Sequence, residues 1–189
     1  IVATVLSTVL GTLLAIGITR YNKSAAVESL ALAPAIVPDL ALAIGLLAMF
    51  NALNFQLGLF SVLLSHTAFG LAFVAAVVRG RLAESDPALE EAALDLGDSG
   101  AGAFWRVTLP TLRPAIISGA LLVFTLSLDE FVIAFFTDGP QTPTLPIVIY
   151  SMVRFGVTPE INALAALVIC FSFILIFFAQ RKSKVLESL

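Results

Sequence analysis

Five long apolar stretches with almost no charge inside them decide what this chain can fold into. A helix needs about 20 mostly apolar residues to cross the roughly 30 Å hydrocarbon core of a bilayer. Hydrophobic residues make up 59% of the 189 residues, charged residues only 12%, and the mean hydropathy is +1.04. We therefore predict a polytopic membrane protein, all-α because an open sheet leaves unpaired backbone groups in lipid. The five predicted spans are residues 1–19, 29–52, 55–78, 115–137 and 161–179.

The basic residues predict the orientation of these spans. Nine of the ten Lys and Arg residues fall in three segments, residues 20–28, 79–114 and 180–189. The positive-inside rule assigns such segments to the cytoplasm. This orientation places Ile1 on the outer side of the membrane. The chain also starts with Ile rather than Met. We expect a sixth span before Ile1, in a single transmembrane domain over residues 1–189.

Composition and motif content argue against several other classes of function. Acidic residues outnumber basic ones 13 to 10, so nothing indicates nucleic-acid binding. The single Cys excludes a disulfide framework or a cysteine metal cluster. The sequence has no Gly-x4-Gly-Lys-Ser/Thr phosphate loop and no Ser–His–Asp or zinc-type spacing. We expect no catalytic residue, no metal site and no cofactor in this chain. We expect His66 to be a hydrogen-bonded packing residue rather than a ligand.

Small residues recur every fourth position along two of the spans. Such stripes let helix backbones approach closely in lipid, either within one bundle or at a subunit interface. The two stripes are Ser7, Gly11 and Ala15 in the first span, and Ala68, Ala72 and Ala76 in the third.

The loop between the third and fourth spans, residues 79–114, carries the most specific signal. Asp86 and Pro87 are typical of a helix N-cap followed by proline at the first helical position, and Gly97 of a left-handed C-terminal cap. Between them we predict an amphipathic helix of about three turns. A second short helix is expected over residues 99–109, ended by the prolines at 110 and 114.

The charge of this loop helix distinguishes two possible neighbours. The segment from Glu84 to Asp98 holds six acids and no base. Helices that rest on the cytoplasmic leaflet are basic on their polar face because that leaflet is anionic. We therefore expect a soluble protein partner rather than a lipid surface.

Several loop residues also stand at a recognisable spacing. Glu91-Ala92-Ala93 is followed after three residues by Gly97 and, nine residues later, by Val107-Thr108-Leu109-Pro110. This resembles the EAA loop of ABC-importer permease subunits, EAA-x3-G-x9-I-x-L-P, with Val107 replacing Ile. The resemblance implies the type I importer permease fold, with a coupling helix that docks on a separate ATP-binding subunit. It assigns ATPase coupling to Glu91, Ala92, Ala93, Gly97, Leu109 and Pro110.

The same resemblance implies the other partners. A second permease subunit would complete the pathway, and a periplasmic or lipid-anchored solute-binding protein would deliver substrate. ATP and Mg²⁺ would be bound by the ATP-binding subunits, and the assembly would lie in a bacterial inner membrane.

A finer resemblance extends over residues 127–164. The segments SLDEFVI, TDGP, IYSMV and VTPEINAL are similar to those of the spermidine/putrescine permeases, which usually have paired Asp where this chain has Asp129-Glu130. The resemblance implies polyamine import.

Three acids inside the predicted spans suggest the same class of substrate. Asp39, Asp129 and Glu130 have no Lys or Arg within any span, and intramembrane acids mark transport pathways. A cationic substrate would supply the missing charge. Asp39 either contacts substrate or caps a helix that restarts after Pro38. Asp129 and Glu130 diverge by about 100° on a helix, so one of them is expected to face the pathway. The alternatives are an importer for ferric iron or thiamine, or a gradient-driven secondary transporter.

Overall fold

The computed structural model describes residues 1–21, 24–140, 143–154, 156 and 159–187, and side chains as far as Phe171, with Phe173 and Ile174. All regular structure in these residues is helical, which confirms the predicted class. The helices are α1 (Val2–Ile16), α2 (Ala25–Leu32), α3 (Asp39–Ala52), α4 (Leu59–Glu84), α5 (Ala88–Asp95), α6 (Gly100–Ala103), α7 (Leu109–Asp129), α8 (Val132–Thr137), α9 (Leu145–Arg154) and α10 (Pro159–Glu187). π-helical turns cover Gly17–Tyr21 and Phe104–Thr108, and a 3-10 turn covers Ala33–Ala35.

The chain forms two compact units, residues 1–144 and 145–189. Within the described residues, three helical stretches are long and apolar enough to cross a membrane: Val2–Tyr21, Leu59–Glu84 and Gly100–Asp129. The pair Ala25–Ala35 and Asp39–Ala52 adds a fourth if it is counted as one span. The described side chains of α10 form a shorter apolar stretch, Pro159–Phe171. The count of five spans therefore stays a prediction.

The second predicted span is interrupted rather than continuous. Its two halves are bent by 103° at residues 36–38. Proline lacks an N–H and disfavours helical geometry in the residue before it, so Pro38 cannot extend the preceding helix through Val37. Pro38 has an extended backbone with ψ 136°, and Asp39 begins α3. A helix therefore restarts after Pro38, as one of the two alternatives for Asp39 predicts, but Pro38 rather than Asp39 is its N-cap residue and no side-chain capping hydrogen bond forms there.

The fourth predicted span, residues 115–137, is not one continuous helix. One helix runs from Gly100 to Asp129, and α8 is a separate short helix. The expected stop at Pro110 and Pro114 does not occur. The Leu109 N–H donates to the carbonyl of Phe104, five residues back, so a π-helical turn leads directly into α7 and Pro110 is accommodated in the turn that follows it. Pro114 lies inside α7.

Helix α4 packs against α1 along the predicted stripe of small residues. Ser7, Gly11 and Ala15 are buried, and the Ser7 hydroxyl donates to the Thr67 carbonyl at 3.2 Å. On α4 the expected stripe is only partly right, because Ala72 is buried whereas Ala76 is exposed. The α4 residues that meet α1 and α7 follow a different register, with Gly70, Val74 and Val78 at the contact.

A second apolar cluster joins α3, α4 and α8 through Ala43, Phe69 and Ile133. A hydrogen bond also joins α4 to α8, since the Ser61 hydroxyl donates to the Thr137 carbonyl at 2.7 Å. These contacts hold α3 and α8 beside each other, and that arrangement sets the positions of the acids at their ends.

We predict that Gly11→Ala destabilises the α1–α4 contact by about 1–3 kcal/mol, the usual range for overpacking. A Cβ at Gly11 would lie 2.6 Å from the Leu71 carbonyl oxygen and 2.7 Å from Val74 Cβ, and a backbone oxygen cannot retreat. Thermal unfolding in detergent measures the change. Gly45→Ala in α3 is the matched control, because nothing lies within 4 Å of its Cβ position. An equal midpoint for the two variants would contradict the predicted contact.

Candidate functional site

Helix α5 has defined ends that match the sequence prediction. The Asp86 carboxylate accepts a hydrogen bond from the Ala88 N–H at 2.9 Å, as an N-cap does. At the other end, the Asp98 N–H donates to the Ala93 carbonyl at 3.1 Å and the Gly97 N–H to the Leu94 carbonyl at 2.9 Å. Gly97 has φ +89°, so the left-handed cap is confirmed.

A charged cluster attaches α5 to the ends of two longer helices. The Arg20 guanidinium donates to both oxygens of Glu90, at 2.9 and 2.6 Å. The Thr108 hydroxyl donates to the same carboxylate at 2.7 Å, and Arg20 also reaches the Thr108 hydroxyl at 3.3 Å. Glu90 belongs to α5, whereas Arg20 and Thr108 lie in the two π-helical turns. Bidentate Arg–carboxylate pairs combine charge with fixed geometry.

A second ion pair places two of the predicted cytoplasmic segments at the same end of the bundle. Arg79, near the end of α4, pairs with Glu28 of α2. Together with Arg20–Glu90, it links residues 20–28 to the segment 79–114 directly. Lys23 and the side chains of the predicted cytoplasmic residues 180–189 lie outside the described residues.

The ionisation of Glu90 follows from this cluster. The hydrogen bond from Arg20 lowers the pKa of Glu90 below its ordinary value of 4.5, with a further contribution from Thr108, while partial burial acts in the opposite direction. Glu90 is therefore a carboxylate at neutral pH, and its attraction to Arg20 persists below the ordinary glutamate range.

Apolar packing contributes little to the position of α5. None of its residues is buried, and Leu89 and Leu94 are exposed. A cavity of about 400 Å³ lies beside the helix, lined in part by Leu82, Leu94 and Val107. The Arg20–Glu90–Thr108 cluster also borders this cavity, so polar contacts hold α5 where a packed core is missing.

The residues assigned to ATPase coupling divide between two positions. Glu91, Ala92 and Gly97 are exposed and Ala93 is half-buried. Leu109 and Pro110 are half-buried in the first turn of α7, away from the exposed face of α5. The two parts of the motif meet at the cavity, which both Glu91 and Val107 line.

The sequence reading missed three residues of this region as a site: Arg20, Glu90 and Thr108. Arg20 was notable only as a positive charge after a span, and Glu90 as one of six loop acids. Thr108 occupies a variable position of the motif. The sequence does show one Arg at the end of a span and one Glu just before the EAA segment. It does not show that these two residues, 70 positions apart, are in contact.

The three intramembrane acids are brought together by α3, α7 and α8. Asp39 and Asp129 are exposed, and the charges of both act on Glu130. Glu130 is only 8% exposed, and its carboxylate accepts a hydrogen bond from the Ile133 N–H of α8 at 2.8 Å. Among the residues that the structure describes, no Lys or Arg forms an ion pair with any of the three. One of the acids is thus a structural cap, and the other two are open to the surroundings.

His66 occupies a packing position. It is 5% exposed, and its Nδ1 lies 2.8 Å from the Ser127 hydroxyl of α7. The described part of the chain contains no group of three or more His, Cys, Asp or Glu residues placed to hold a metal ion.

We predict that Gly97→Ala frays the end of α5, because a residue with a Cβ in left-handed geometry costs about 1–2 kcal/mol. Hydrogen exchange over residues 88–98 should become several-fold faster than in the unmodified chain. Gly80→Ala is the matched control, since Gly80 lies in α4 with ordinary helical geometry and open space at its Cβ position. Unchanged exchange in Gly97→Ala would show that the Gly97 cap does not fix this helix end.

We also predict how the Arg20–Glu90 pair responds to acid. A lowered folded-state pKa contributes stability that is present above the unfolded pKa and lost as pH falls through the folded one. The contact should therefore remain at pH 5 and be lost only below pH 4.5, the ordinary glutamate value. Fluorescence of Trp105, beside Thr108 in the same π-helical turn, measures the transition. Glu90→Gln should abolish it and Glu84→Gln should not; a transition above pH 5 would contradict the assignment.

Comparison with known proteins places these features in a family. Residues 7–187 match the family described as binding-protein-dependent transport system inner membrane component. The putrescine transport system permease protein PotI of Escherichia coli K12 is 44% identical over 170 residues, which cover 85% of this chain and 60% of PotI. The spermidine/putrescine transport system permease protein PotC of Haemophilus influenzae Rd is 39% identical over 180 residues, or 94% of this chain and 70% of PotC.

The PotC protein of Escherichia coli K12 is also 39% identical, over 92% of this chain and 67% of its own length. The chain therefore spans about 60% of PotI and somewhat more of the PotC relatives. The family match covers nearly all of the chain, including α5 and the three acids. This chain belongs to the family of binding-protein-dependent transport system inner membrane components.

Proposed function

We propose that this chain is a transmembrane permease subunit of an ATP-driven ABC importer in a bacterial inner membrane, and that it passes polyamines into the cytoplasm by alternating access. The observation that carries the proposal is the presentation of α5. The helix is held at the end of the bundle by Arg20 and Thr108, while Glu91 and Ala92 remain exposed. A helix displayed in this way is accessible to a partner protein.

The exposed surface of α5 and its neighbour supports docking of an ATP-binding subunit. Leu96, at the end of α5, is 90% exposed, and Trp105 of the following π-helical turn is 65% exposed. Exposed large apolar side chains next to acids suit a protein groove with apolar and basic walls. Small Ala92 and Ala93 allow that groove to approach the helix closely. In this proposal the partner binds ATP and Mg²⁺ and hydrolyses the nucleotide. The helices of this chain change their arrangement in response.

The acidic group formed by Asp39, Asp129 and Glu130 supports a cationic substrate. The three acids lie at the ends of α3 and α7 and at the start of α8, and no described Lys or Arg forms an ion pair with them, so a bound amine would supply the missing positive charge. PotI and PotC carry putrescine and spermidine/putrescine in their names, and similarity extends through this region. A flexible diamine or triamine fits carboxylates on separate helix ends better than a compact cation does.

The three acids take different roles in this proposal. Glu130 caps α8 and so holds the α7–α8 break in place. Asp39, the first residue of α3, and Asp129, the last residue of α7, are exposed and form the substrate contacts. A second permease subunit would supply the opposite wall of the pathway, and an external solute-binding protein would deliver the substrate.

We predict that Asp39→Asn together with Asp129→Asn lowers ATP-dependent spermidine uptake at least tenfold, because each amide removes one attractive charge. The measurement uses the full transporter in proteoliposomes with its binding protein and ATP inside. Association with the ATP-binding subunit should remain, since neither residue is near α5.

Asp138→Asn is the matched control, because its carboxylate accepts a hydrogen bond from the Gly139 N–H that an amide oxygen can also accept. This variant should keep normal uptake. Three outcomes would overturn parts of the proposal. Uptake that persists without ATP indicates a gradient-driven transporter, and transport of ferric iron or thiamine alone indicates another substrate. Full spermidine uptake in the double variant removes the role of these acids.

A further inference from the structure

We infer that Glu90 and Arg20 are positioning residues that transmit the movement of α5 to the membrane helices, whereas Glu91 serves the docking surface. The inference deepens the proposed function and depends on it. It gives different roles to two neighbouring glutamates, of which the sequence motif includes only Glu91. The separation rests on contacts, since Glu90 makes hydrogen bonds to two other elements and Glu91 is exposed.

The cluster joins three elements through one carboxylate. Glu90 accepts hydrogen bonds from Arg20 after α1 and from Thr108 before α7. The side chains of Arg20 and Glu90 are 30% and 27% exposed, so the pair is shielded more than an ordinary surface ion pair. Charge-assisted bidentate contacts resist rotation as well as separation. A displacement of α5 therefore displaces the ends of α1 and α7 together.

The backbone on both sides of the cluster has an uncommon geometry. Arg20 and Thr108 each lie in a π-helical turn, Gly17–Tyr21 and Phe104–Thr108. Such turns are rare, occur mostly as single-turn bulges, and are frequent at functional sites. They leave the i→i−4 hydrogen-bond ladder locally altered, so each helix can change pitch there at low cost. The cluster thus connects α5 to the two points where the long helices are most easily rearranged.

No other feature of α5 performs this role as well. The helix has no buried residue, and a cavity of about 400 Å³ separates part of it from α4 and the π-helical turns. The pair Asp98–Arg106, in which the Asp98 side chain is 17% and the Arg106 side chain 76% exposed, lies beyond the Gly97 cap and joins only the segment that leads to α7. Without the Glu90 contacts, α5 could move on its partner while α1 stayed still.

The test compares Glu90→Gln, Arg20→Gln and the double variant in the complete transporter, reconstituted with its binding protein and ATP-binding subunits. Each single variant should lower spermidine uptake per ATP hydrolysed about tenfold, the scale of losing hydrogen bonds to a charged partner. The double variant should fall no further, since both residues act through one contact. Thr108→Val removes one donor and should give a smaller loss. Glu91→Gln should instead weaken co-purification of the ATP-binding subunit.

The matched control is the exposed pair Arg81–Glu84, 3.6 Å apart at the same end of the bundle. Arg81→Gln and Glu84→Gln remove the same charges and should leave uptake per ATP unchanged. A purely structural role for Glu90 would reduce the amount of assembled complex but not the ratio of uptake to hydrolysis. If Glu90→Gln does not assemble, Thr108→Val decides the outcome, and a normal ratio there overturns the inference.

The two levels of the proposal fail in different ways. An unmodified transporter without ATP-dependent spermidine uptake refutes the proposed function. An unmodified transporter that is active, with Glu90→Gln equal to Glu84→Gln in uptake per ATP, refutes only the positioning role. A double variant that loses the product of the two single losses would show that Glu90 and Arg20 act independently, which also overturns the inference.

Discussion

The bidentate contact between Arg20 and Glu90 is the interaction on which the cytoplasmic end of this structure depends. Helix α5 has three acids among its eight residues and buries none of its residues, so the hydrophobic effect does little to fix it. One carboxylate, held by a guanidinium and a hydroxyl, connects it to helices on both sides. Because the hydrogen bond from Arg20 lowers the pKa of Glu90 below its ordinary value, Glu90 is ionised at neutral pH and the contact joins two opposite charges there.

The rest of the bundle depends on close backbone approach. Within lipid there is no hydrophobic gain from bringing two apolar helices together, so packing and hydrogen bonds must supply the attraction. Gly11 lies against α4 where any side chain would meet the Leu71 carbonyl, and Ser7 adds a hydrogen bond to the same interface. A tightly packed α1–α4 pair then carries the π-helical turn with Arg20, which links the packing of the membrane helices to the position of α5.

At the other acidic group, breaks in helices have the main role. Pro38 ends one helix and lets Asp39 begin the next, while α7 stops at Asp129 and leaves Glu130 to cap α8. The two breaks come together because α3 and α8 share an apolar cluster around Ile133. Helix ends with exposed acids near each other are a reasonable arrangement for holding an extended cation, and the proposed role of Asp39 and Asp129 follows from it.

The sequence by itself determined the membrane class, the helix restart after Pro38, the caps of α5 at Asp86 and Gly97, and the family. Each depends on local chemistry: apolar length, the missing N–H of proline, an N-cap carboxylate, or a residue without a Cβ. Only the tertiary structure decided that Glu90 rather than Glu91 faces Arg20, that Glu130 is a cap, and that the helix continues through Pro110 and Pro114. These outcomes depend on contacts between residues far apart in sequence and on a π-helical turn, and neither leaves a periodic trace in the amino-acid order.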